Sequence, residues 1–227
     1  MSERNKCLIC GQSIGEKDVL MTFNNMPGSA QDIPTKEEVP NDHGIELKLM
    51  QCSHCGLVQF PCEPVPYYKK VIRAGGGTTT MVNLRNTQYQ ELLNTFDLKG
   101  KKILEVGCGK GEFLKIWKGY DVHAVGIEYD QELVDRANRE GMEVYKAYAD
   151  DESTKLPGSP YDAFVQFNFL EHQPYPNDMV KCIYNNLTED GVGLVTVPSL
   201  EYILKYDGYY ELIKDHIAYY SEESLKF

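Results

Sequence analysis

The stretch 102–114 constrains the fold more than any other part of the sequence. It reads Lys-Ile-Leu-Glu-Val-Gly-Cys-Gly-Lys-Gly-Glu-Phe-Leu, which is typical of a short buried strand, a glycine turn and the start of a helix. Glycines at alternate positions let the backbone approach a ligand without interference from Cβ atoms. The helix that follows directs unpaired N–H groups into the same space. This order predicts a nucleotide-binding βα unit.

The spacing of the glycines indicates which ligand the turn binds. A dinucleotide fingerprint, G-x-G-x-x-G, would place its third glycine at position 112, where the chain has Glu112, so an NAD-dependent dehydrogenase is disfavoured. The third glycine comes one position earlier, and the run resembles motif I of the class I S-adenosylmethionine-dependent methyltransferases. The resemblance implies that the cofactor is bound by Glu105, Gly107, Cys108, Gly109 and Gly111.

Short apolar segments alternate with helical segments after the turn. The predicted strands are 102–105, 122–127, 144–147, 163–167 and 192–197, and the predicted helices are 113–118, 131–140 and 177–187, with a further helix over 81–96 before the turn. Strands that alternate with helices predict an α/β fold, a Rossmann-like parallel sheet covered by helices on both faces. Ligands of such sheets bind at the carboxyl ends of the strands.

Polar and aromatic residues stand at those strand ends. Glu128 ends the second strand, where an acid accepts hydrogen bonds from both ribose hydroxyls. Asp150 follows the third strand, where a carboxylate can meet the adenine amino group; the alternative is a solvated acid. Gln166, Phe167 and Asn168 end the fourth strand and are predicted at the rim of the cofactor site.

Two CxxC pairs precede this part of the chain. They are Cys7/Cys10 and Cys52/Cys55, and each is followed by a glycine. Two thiolates separated by two residues can bind one ion from a tight turn, so two such turns predict a closed structural Cys₄ zinc site. The alternatives, a redox CxxC or disulfides, do not explain the glycine after both pairs. The long segment between the pairs, rich in Pro, Asn and Asp over 24–44, is read as an inserted loop.

Composition narrows the class of protein. The net charge of −11 argues against a nucleic-acid partner, which is bound mainly through Lys and Arg. No apolar run approaches the roughly 20 residues of a membrane span. The N-terminus is polar, and seven cysteines without a signal sequence indicate a reducing compartment, so a cytoplasmic location is expected.

Two histidines stand where substrate chemistry is expected. His172 follows the fourth strand, and His216 follows the fifth. Methyl transfer requires the nucleophile to be held near the methyl carbon and, where needed, deprotonated, and histidine suits that base role near neutral pH. Asp215, next in sequence, would favour the imidazolium if it turned inward. When each histidine is considered by itself, the alternative interpretation is a surface or core residue without a role in catalysis.

The order of these motifs resembles the zinc-containing sugar C-methyltransferases, which act on nucleotide-linked deoxysugars. The resemblance covers the whole chain and includes the CxxC pairs, Tyr67-Tyr68, motif I, Leu170-Glu171-His172 and Asp215-His216-x-x-Tyr219-Tyr220. It implies that His216 removes the proton next to a 4-keto group. It also implies that Tyr67, His172 and Asp215 orient or polarise the reacting groups. The chain departs from the family at Asp215, where Glu is usual, and at Ile213, where a tyrosine is expected.

The predicted organisation is a zinc-binding domain over 1–66, a connector with a glycine-rich turn and a cofactor-covering helix over 67–97, and a methyltransferase core over 98–227. The core lacks the last strands of a complete sheet, so a C-terminally truncated protein is expected. The predicted function is S-adenosylmethionine-dependent C-methylation of a small sugar-nucleotide substrate. The alternatives are O-methylation of a small acceptor and a zinc-dependent interaction module with an inactive cofactor-binding domain.

Overall fold

The computed structural model describes residues 4–70 and 77–227. Most of the glycine-rich segment at 73–77, which belongs to the predicted connector, lies outside the described residues. The chain forms two compact units. One, called the cysteine unit, comprises the described residues up to Tyr68 together with Asn168–Asn177 and Val197–Phe227. The other, called the sheet unit, comprises those between Lys69 and Phe167 together with Asp178–Thr196. The predicted domain boundaries at 66 and 97 stay predictions.

A five-stranded parallel sheet forms the centre of the sheet unit. Its strands are β4 (Lys102–Val106), β5 (His123–Glu128), β6 (Glu143–Lys146), β7 (Tyr161–Phe167) and β8 (Leu187–Thr196). The spatial order is β6-β5-β4-β7-β8, and every pairing is parallel. The order reverses at β4, the strand that leads into the glycine turn, and ligands of open parallel sheets bind at such a reversal. The predicted fold class is therefore confirmed.

The helices of this part of the chain are α1 (Thr79–Phe96), α2 (Gln131–Arg139) and α3 (Pro176–Tyr184). Side-chain oxygens cap the first two: Thr78 accepts from the N–H of Met81, and Asp130 accepts from the N–H of Glu132. The helix expected directly after the glycine turn is instead a six-residue 3₁₀ helix, Leu114–Gly119. Its Trp117 is stacked on Tyr89 of α1 at 3.7 Å between ring centroids. The helix predicted over 113–118 is therefore present, but as a short 3₁₀ helix that adds little dipole to the turn.

The cysteine unit is built on a second sheet, in the order β1-β2-β3-β9. Its strands are β1 (Val19–Met26), β2 (Ile45–Gln51), β3 (Val58–Gln59) and β9 (Ala218–Tyr219). All three pairings are antiparallel. The hairpin of β2 and β3 surrounds the second CxxC pair. The strands β1 and β9 were not predicted, because β1 alternates irregularly and β9 has two residues.

The C-terminal segment supplies part of the core of the cysteine unit. Ile203, Ile217 and Tyr219 are buried against Leu47 and Phe60 of the hairpin region. This segment forms α4 (Leu200–Lys205), a 3₁₀ turn over Tyr209–Glu211 and then irregular backbone. After β9 a short helix, α5 (Glu222–Lys226), begins with a capping box at Ser221. No helix in the described part of the chain has the length and apolar character needed to cross a bilayer.

Candidate functional site

The glycine turn of the sheet unit has the conformation that close ligand approach requires. Gly107, Gly109 and Gly111 all have positive φ, at 66°, 58° and 78°. A Cβ atom on Gly111 would lie 2.5 Å from Sδ of Met142, so the Met142 side chain would have to shift to admit any side chain there. At Gly109 the nearest atom to such a Cβ would be Oε2 of Glu112, at 3.7 Å. The turn is therefore packed at Gly111 and open at Gly109, and a ligand can approach the open backbone.

Glu128 connects the turn to the end of β5. Its Oε2 accepts the N–H of Gly109 at 2.9 Å, and its Oε1 accepts the N–H of Asp130 at 2.9 Å. A carboxylate has about four lone-pair sites, so two remain for hydroxyl donors. The arrangement fits the predicted ribose-binding role, because the acid is held at the turn by one bond on each oxygen.

Asp150 lies in the same unit beyond β6. Its Oδ2 accepts from Nζ of Lys69 at 2.9 Å, and the carboxylate is half exposed. The same Nζ lies 4.4 Å from the ring centroid of Tyr148. The sequence gave no sign of this lysine partner, since the two residues are far apart in the chain. The adenine-binding role of Asp150 stays a prediction.

The end of β7 presents buried side chains. Gln166 donates from Nε2 to Sδ of Met179 at 3.2 Å, while its Oε1 has no hydrogen-bond partner among the described residues. The ring of Phe167 packs in the core, 5.5 Å from that of Phe113. Asn168, the next residue, is exposed and has φ of 48°. At the predicted rim, Gln166 therefore supplies a buried acceptor without a partner among the described residues. Phe167 supplies a ring of the core, and Asn168 an exposed amide.

Arg85 of α1 is a residue that sequence reasoning did not propose for the site. It is buried, and its guanidinium carbon lies 3.7 Å from the ring centroid of Phe167. Its Nη1 donates to Oε1 of Gln88 at 2.5 Å. The sequence signal for Arg85 was its place on an otherwise apolar face of the predicted helix. Such a position is informative because a buried guanidinium is rare unless it is paired or stacked.

The four CxxC cysteines come together in the cysteine unit. The Sγ atoms of Cys7 and Cys55 are 3.5 Å apart, as are those of Cys10 and Cys52, and all four lie within 4.8 Å of one another. Tetrahedral zinc with Zn–S bonds of about 2.3 Å places its sulfurs about 3.8 Å apart. The donor set therefore fits such an ion.

The two turns that carry these cysteines share one hydrogen-bond pattern. Gly11 donates to the carbonyl of Cys7 at 3.1 Å, and Gly56 donates to that of Cys52 at 2.9 Å. The first cysteine of each turn also donates its own N–H across the turn, Cys7 to Gln12 and Cys52 to Leu57, both at 2.9 Å. Both glycines have positive φ, which lets each turn close in this way.

His172 and His216 lie side by side in the cysteine unit, with ring centroids 4.8 Å apart. Nδ1 of His172 is 2.7 Å from the carbonyl oxygen of Asp215, and Nδ1 of His216 is 3.2 Å from that of Glu211. A carbonyl only accepts, so each Nδ1 carries a proton and each neutral ring has its lone pair on Nε2. The structure thus brings together two histidines that are 44 positions apart in the sequence (216 − 172).

Tyr67 and Asp215 also meet in this unit. The Tyr67 hydroxyl donates to Oδ1 of Asp215 at 2.6 Å, and the backbone N–H of Ala30 donates to Oδ2 at 2.8 Å. The N–H of Gln31 donates to the Tyr67 hydroxyl at 3.1 Å. The side chain of Asp215 therefore holds Tyr67 and the inserted loop, and its expected turn toward His216 is not what the structure shows.

Two acids near the histidines were missed from the sequence. Glu171 is buried, with Oε1 3.9 Å from Nε2 of His172. Oε2 of Glu211 lies 3.5 Å from Nδ1 of His216. The signal for Glu171 was its position between an apolar residue and a predicted site histidine. Nothing in the sequence marks Glu211, because an irregular loop brings it to His216.

Burial shifts the proton affinities of this group of side chains. It raises the pKa of Glu171 to about 8 and lowers that of His172 to about 3, and His216 adds to the second effect. Burial also lowers the pKa of His216, although the neighbouring Glu211 carboxylate opposes this. Both histidines are consequently neutral near pH 7, which is the state a proton acceptor needs.

Tyr219 fixes the loop that carries Glu211. It is buried at the end of β9, and its hydroxyl accepts the N–H of Ile213 at 3.1 Å and lies 3.1 Å from the carbonyl oxygen of Glu211. This hydroxyl reaches Ile213, the position at which the family resemblance expected a tyrosine. Tyr219 thus holds the backbone of the loop at Glu211, whose carboxylate lies beside His216.

Comparisons with known proteins agree with the fold. The sequence profile of a family described as methyltransferase domain matches residues 81–226. Ubiquinone biosynthesis O-methyltransferases of Bordetella avium and Xylella fastidiosa are 29% and 28% identical to the chain over 103 and 99 residues. These matches cover 43% and 41% of this chain and 42% and 40% of the relatives. The chain thus matches less than half the length of these curated relatives.

A solved structure shows the same fold. The S-adenosylmethionine-dependent methyltransferase from Archaeoglobus fulgidus superposes with a TM-score of 0.52 at 20% sequence identity, covering 64% of this chain and 66% of that one. The profile match spans more than half of the chain. The match begins within α1, and the sheet order and the glycine turn agree with the same family. The chain belongs to the class I S-adenosylmethionine-dependent methyltransferase family.

Proposed function

We propose that the protein transfers a methyl group from S-adenosylmethionine to a carbon of a nucleotide-linked keto-deoxysugar. The observation that carries this proposal is the histidine pair, in which both Nδ1 atoms are bound to backbone carbonyls and both Nε2 atoms are left as proton acceptors. An acceptor of this kind is required when the substrate must lose a proton from carbon before methylation.

The glycine turn and Glu128 are the residues proposed to hold the cofactor. The open backbone at Gly109 and the remaining lone pairs of Glu128 fit the methionine and ribose parts of the ligand. The unmatched Oε1 of Gln166 supplies a further acceptor for a polar group of the ligand. When bound, S-adenosylmethionine supplies an electrophilic methyl group on a sulfonium.

His216 acts as the base in this proposal. Its Nε2 takes the proton from the carbon next to the substrate's 4-keto group, and the electron pair of that C–H bond moves into an enolate. The carbon then carries the nucleophilic character that methyl transfer requires. Glu211, 3.5 Å from Nδ1, stabilises the imidazolium that forms. Tyr67 and Asp215 hold the inserted loop, and His172 packs against the base at 4.8 Å between ring centroids.

The test is the variant His216→Ala. Turnover should fall by about 10²–10⁴-fold, the usual contribution of a general base, while affinity for S-adenosylhomocysteine stays unchanged. His43→Ala is the matched control, because His43 is an exposed histidine of the inserted loop. Loss of S-adenosylhomocysteine binding in His216→Ala would contradict the base role. Absence of S-adenosylhomocysteine binding in the unsubstituted protein would favour an interaction module instead.

We also infer that the four cysteines bind one structural zinc ion. The support is the S···S spacing and the shared turn geometry of the two pairs. Four thiolates leave the ion no open position, so it stabilises the unit and takes no part in chemistry. Elemental analysis should find one zinc per chain, and Cys52→Ser should lose it. Retention of zinc by that variant would contradict the assignment.

O-methylation is the second candidate, and the observation that favours it is the name of the curated relatives, ubiquinone biosynthesis O-methyltransferases. The same base would then remove a hydroxyl proton. Carbon-13 NMR of the product formed with a labelled methyl donor separates the two. A methyl carbon bonded to carbon supports the first candidate, and a methyl ether supports the second.

A further inference from the structure

We infer that Glu171, His172 and His216 form a second metal site, distinct from the four cysteines, that takes a divalent transition-metal ion. One ligand atom from each residue can be chosen so that all three lie within 4.8 Å of one another. Two imidazoles and one carboxylate form the ligand set that binds zinc or iron(II) at sites with an open position. The inference goes beyond the proposed function, because metal binding does not depend on methyl transfer.

The spacing of the ligand atoms suits direct coordination. Oε1 of Glu171 is 3.9 Å from Nε2 of His172. Ligands at about 2.1 Å from an ion, with angles of about 90–120°, are about 3.0–3.6 Å apart. The pair must therefore close by about 0.3–0.9 Å, the difference between 3.9 Å and this range. The carboxylate and the ring follow one another in a 3₁₀ turn, Leu170–His172, so a small side-chain rotation brings them together.

The outer partners of the two imidazoles are already in place. Metal-binding histidines usually donate their other N–H to a carbonyl or carboxylate, which fixes the ring and the tautomer. Here Nδ1 of His172 donates to Asp215 O and Nδ1 of His216 donates to Glu211 O. Both rings thus have the tautomer that leaves Nε2 free for a metal.

A polar atom without a partner points to a ligand at the same place. Oε2 of Glu171 has no hydrogen-bond donor within reach in the part of the chain that the structure describes. The whole residue is 2% exposed, so solvent does not satisfy this oxygen either. A buried carboxyl without a partner is costly unless a proton or a cation neutralises it. The imidazoles have no donor to offer the carboxylate, and a cation bound among the three side chains would satisfy the carboxylate and the imidazole lone pairs together.

Occupancy of this site has a consequence for the base. A metal on Nε2 of His216 uses the lone pair that proton removal requires, so the two states exclude each other. The ion would therefore inhibit a reaction that uses His216 as base. This coupling rests on the proposed function, whereas metal binding itself does not.

The test measures binding of Co²⁺ to the zinc-loaded protein by equilibrium dialysis and visible absorption. Co²⁺ at a site of nitrogen and oxygen ligands gives d–d bands without the thiolate charge-transfer band that Co²⁺ in the cysteine site would show. We expect one Co²⁺ bound per chain with zinc retained. Glu171→Gln and His172→Gln should each weaken this binding by at least about tenfold, since even changes in the outer shell of metal sites cost about 10–100-fold.

Two controls make the result decisive. His43→Ala removes an exposed histidine and should bind Co²⁺ like the unsubstituted protein. Zinc content reports whether each variant still folds its cysteine unit. Absence of bound Co²⁺ in the zinc-loaded protein, or unchanged binding in zinc-retaining Glu171→Gln and His172→Gln, would overturn the inference. Failure of methyl transfer in metal-free buffer would instead count against the proposed function.

Discussion

Two glycines of the binding turn allow packing and ligand access to be separated by experiment. Gly109 and Gly111 both have positive φ, at 58° and 78°, so alanine at either position costs about 1–2 kcal/mol of backbone strain. A Cβ on Gly111 would also lie 2.5 Å from Sδ of Met142, whereas one on Gly109 would meet nothing closer than 3.7 Å. Overpacking of a core adds about 1–3 kcal/mol.

We therefore expect Gly111→Ala to lower the free energy of unfolding of the sheet unit by about 2–5 kcal/mol, and Gly109→Ala by about 1–2 kcal/mol. Ligand binding should show the reverse order. The new methyl group of Gly109→Ala occupies the open side of the turn, so this variant should lose more affinity for S-adenosylhomocysteine than its loss of stability explains.

The assay for stability is urea unfolding followed by tryptophan fluorescence. The protein has one tryptophan, Trp117, which is buried in the sheet unit and therefore reports on this unit. Affinity for S-adenosylhomocysteine is measured by isothermal titration calorimetry on the same samples. Met142→Ala supplies the matched background, because it removes the side chain that a Cβ on Gly111 would meet.

In the Met142→Ala background the cost of Gly111→Ala should fall to the strain alone, about 1–2 kcal/mol. An equal cost in both backgrounds would refute the packing argument. Equal destabilisation by Gly109→Ala and Gly111→Ala in the unsubstituted protein would refute it as well. Unchanged S-adenosylhomocysteine affinity in Gly109→Ala would refute the assignment of the open side to the ligand.

Two further predictions concern the cysteine unit. Tyr67→Phe removes the donor to Oδ1 of buried Asp215, so thermal unfolding should show a loss of about 1–3 kcal/mol, and exposed Tyr210→Phe should show none. Tyr219→Phe leaves the N–H of Ile213 without its acceptor and releases the loop of Glu211. Turnover should fall while zinc content is unchanged, and equal turnover would contradict the positioning role of Tyr219.

Most of the sheet unit could be predicted because its strands and turns are marked by residues that are close together in the sequence. Each buried parallel strand is a short apolar run, and the observed strands agree with the predicted ones to within a few residues except for β8, which begins at Leu187. Residues 113–118 were predicted as a helix, and the structure has a 3₁₀ helix rather than an α-helix there, over Leu114–Gly119. Periodicity cannot separate these two over six residues, and the stacking of Trp117 on Tyr89 is a tertiary contact.

The cysteine unit was harder to predict because its contacts join distant parts of the chain. The CxxC turns are local signals and could be read directly. The pairing of β3 with β9 and the bond between Tyr67 and Asp215 connect residues 148 or more positions apart. Family resemblance gave roles to Tyr67, His172 and His216, but it gave none to Glu171, although that residue is in the motif, and it did not include Glu211. Those acids become visible only when the folded loop places them beside the histidines.

The participation of β9 in the second sheet has a consequence for synthesis of the protein on the ribosome. The cysteines of both turns are made well before Ala218 and Tyr219, which complete their sheet. Until then the hairpin lacks the side chains of Ile203, Ile217 and Tyr219 that cover it. The nascent chain must therefore keep four reduced thiols throughout that interval, and an oxidant present during that time should trap mispaired disulfides.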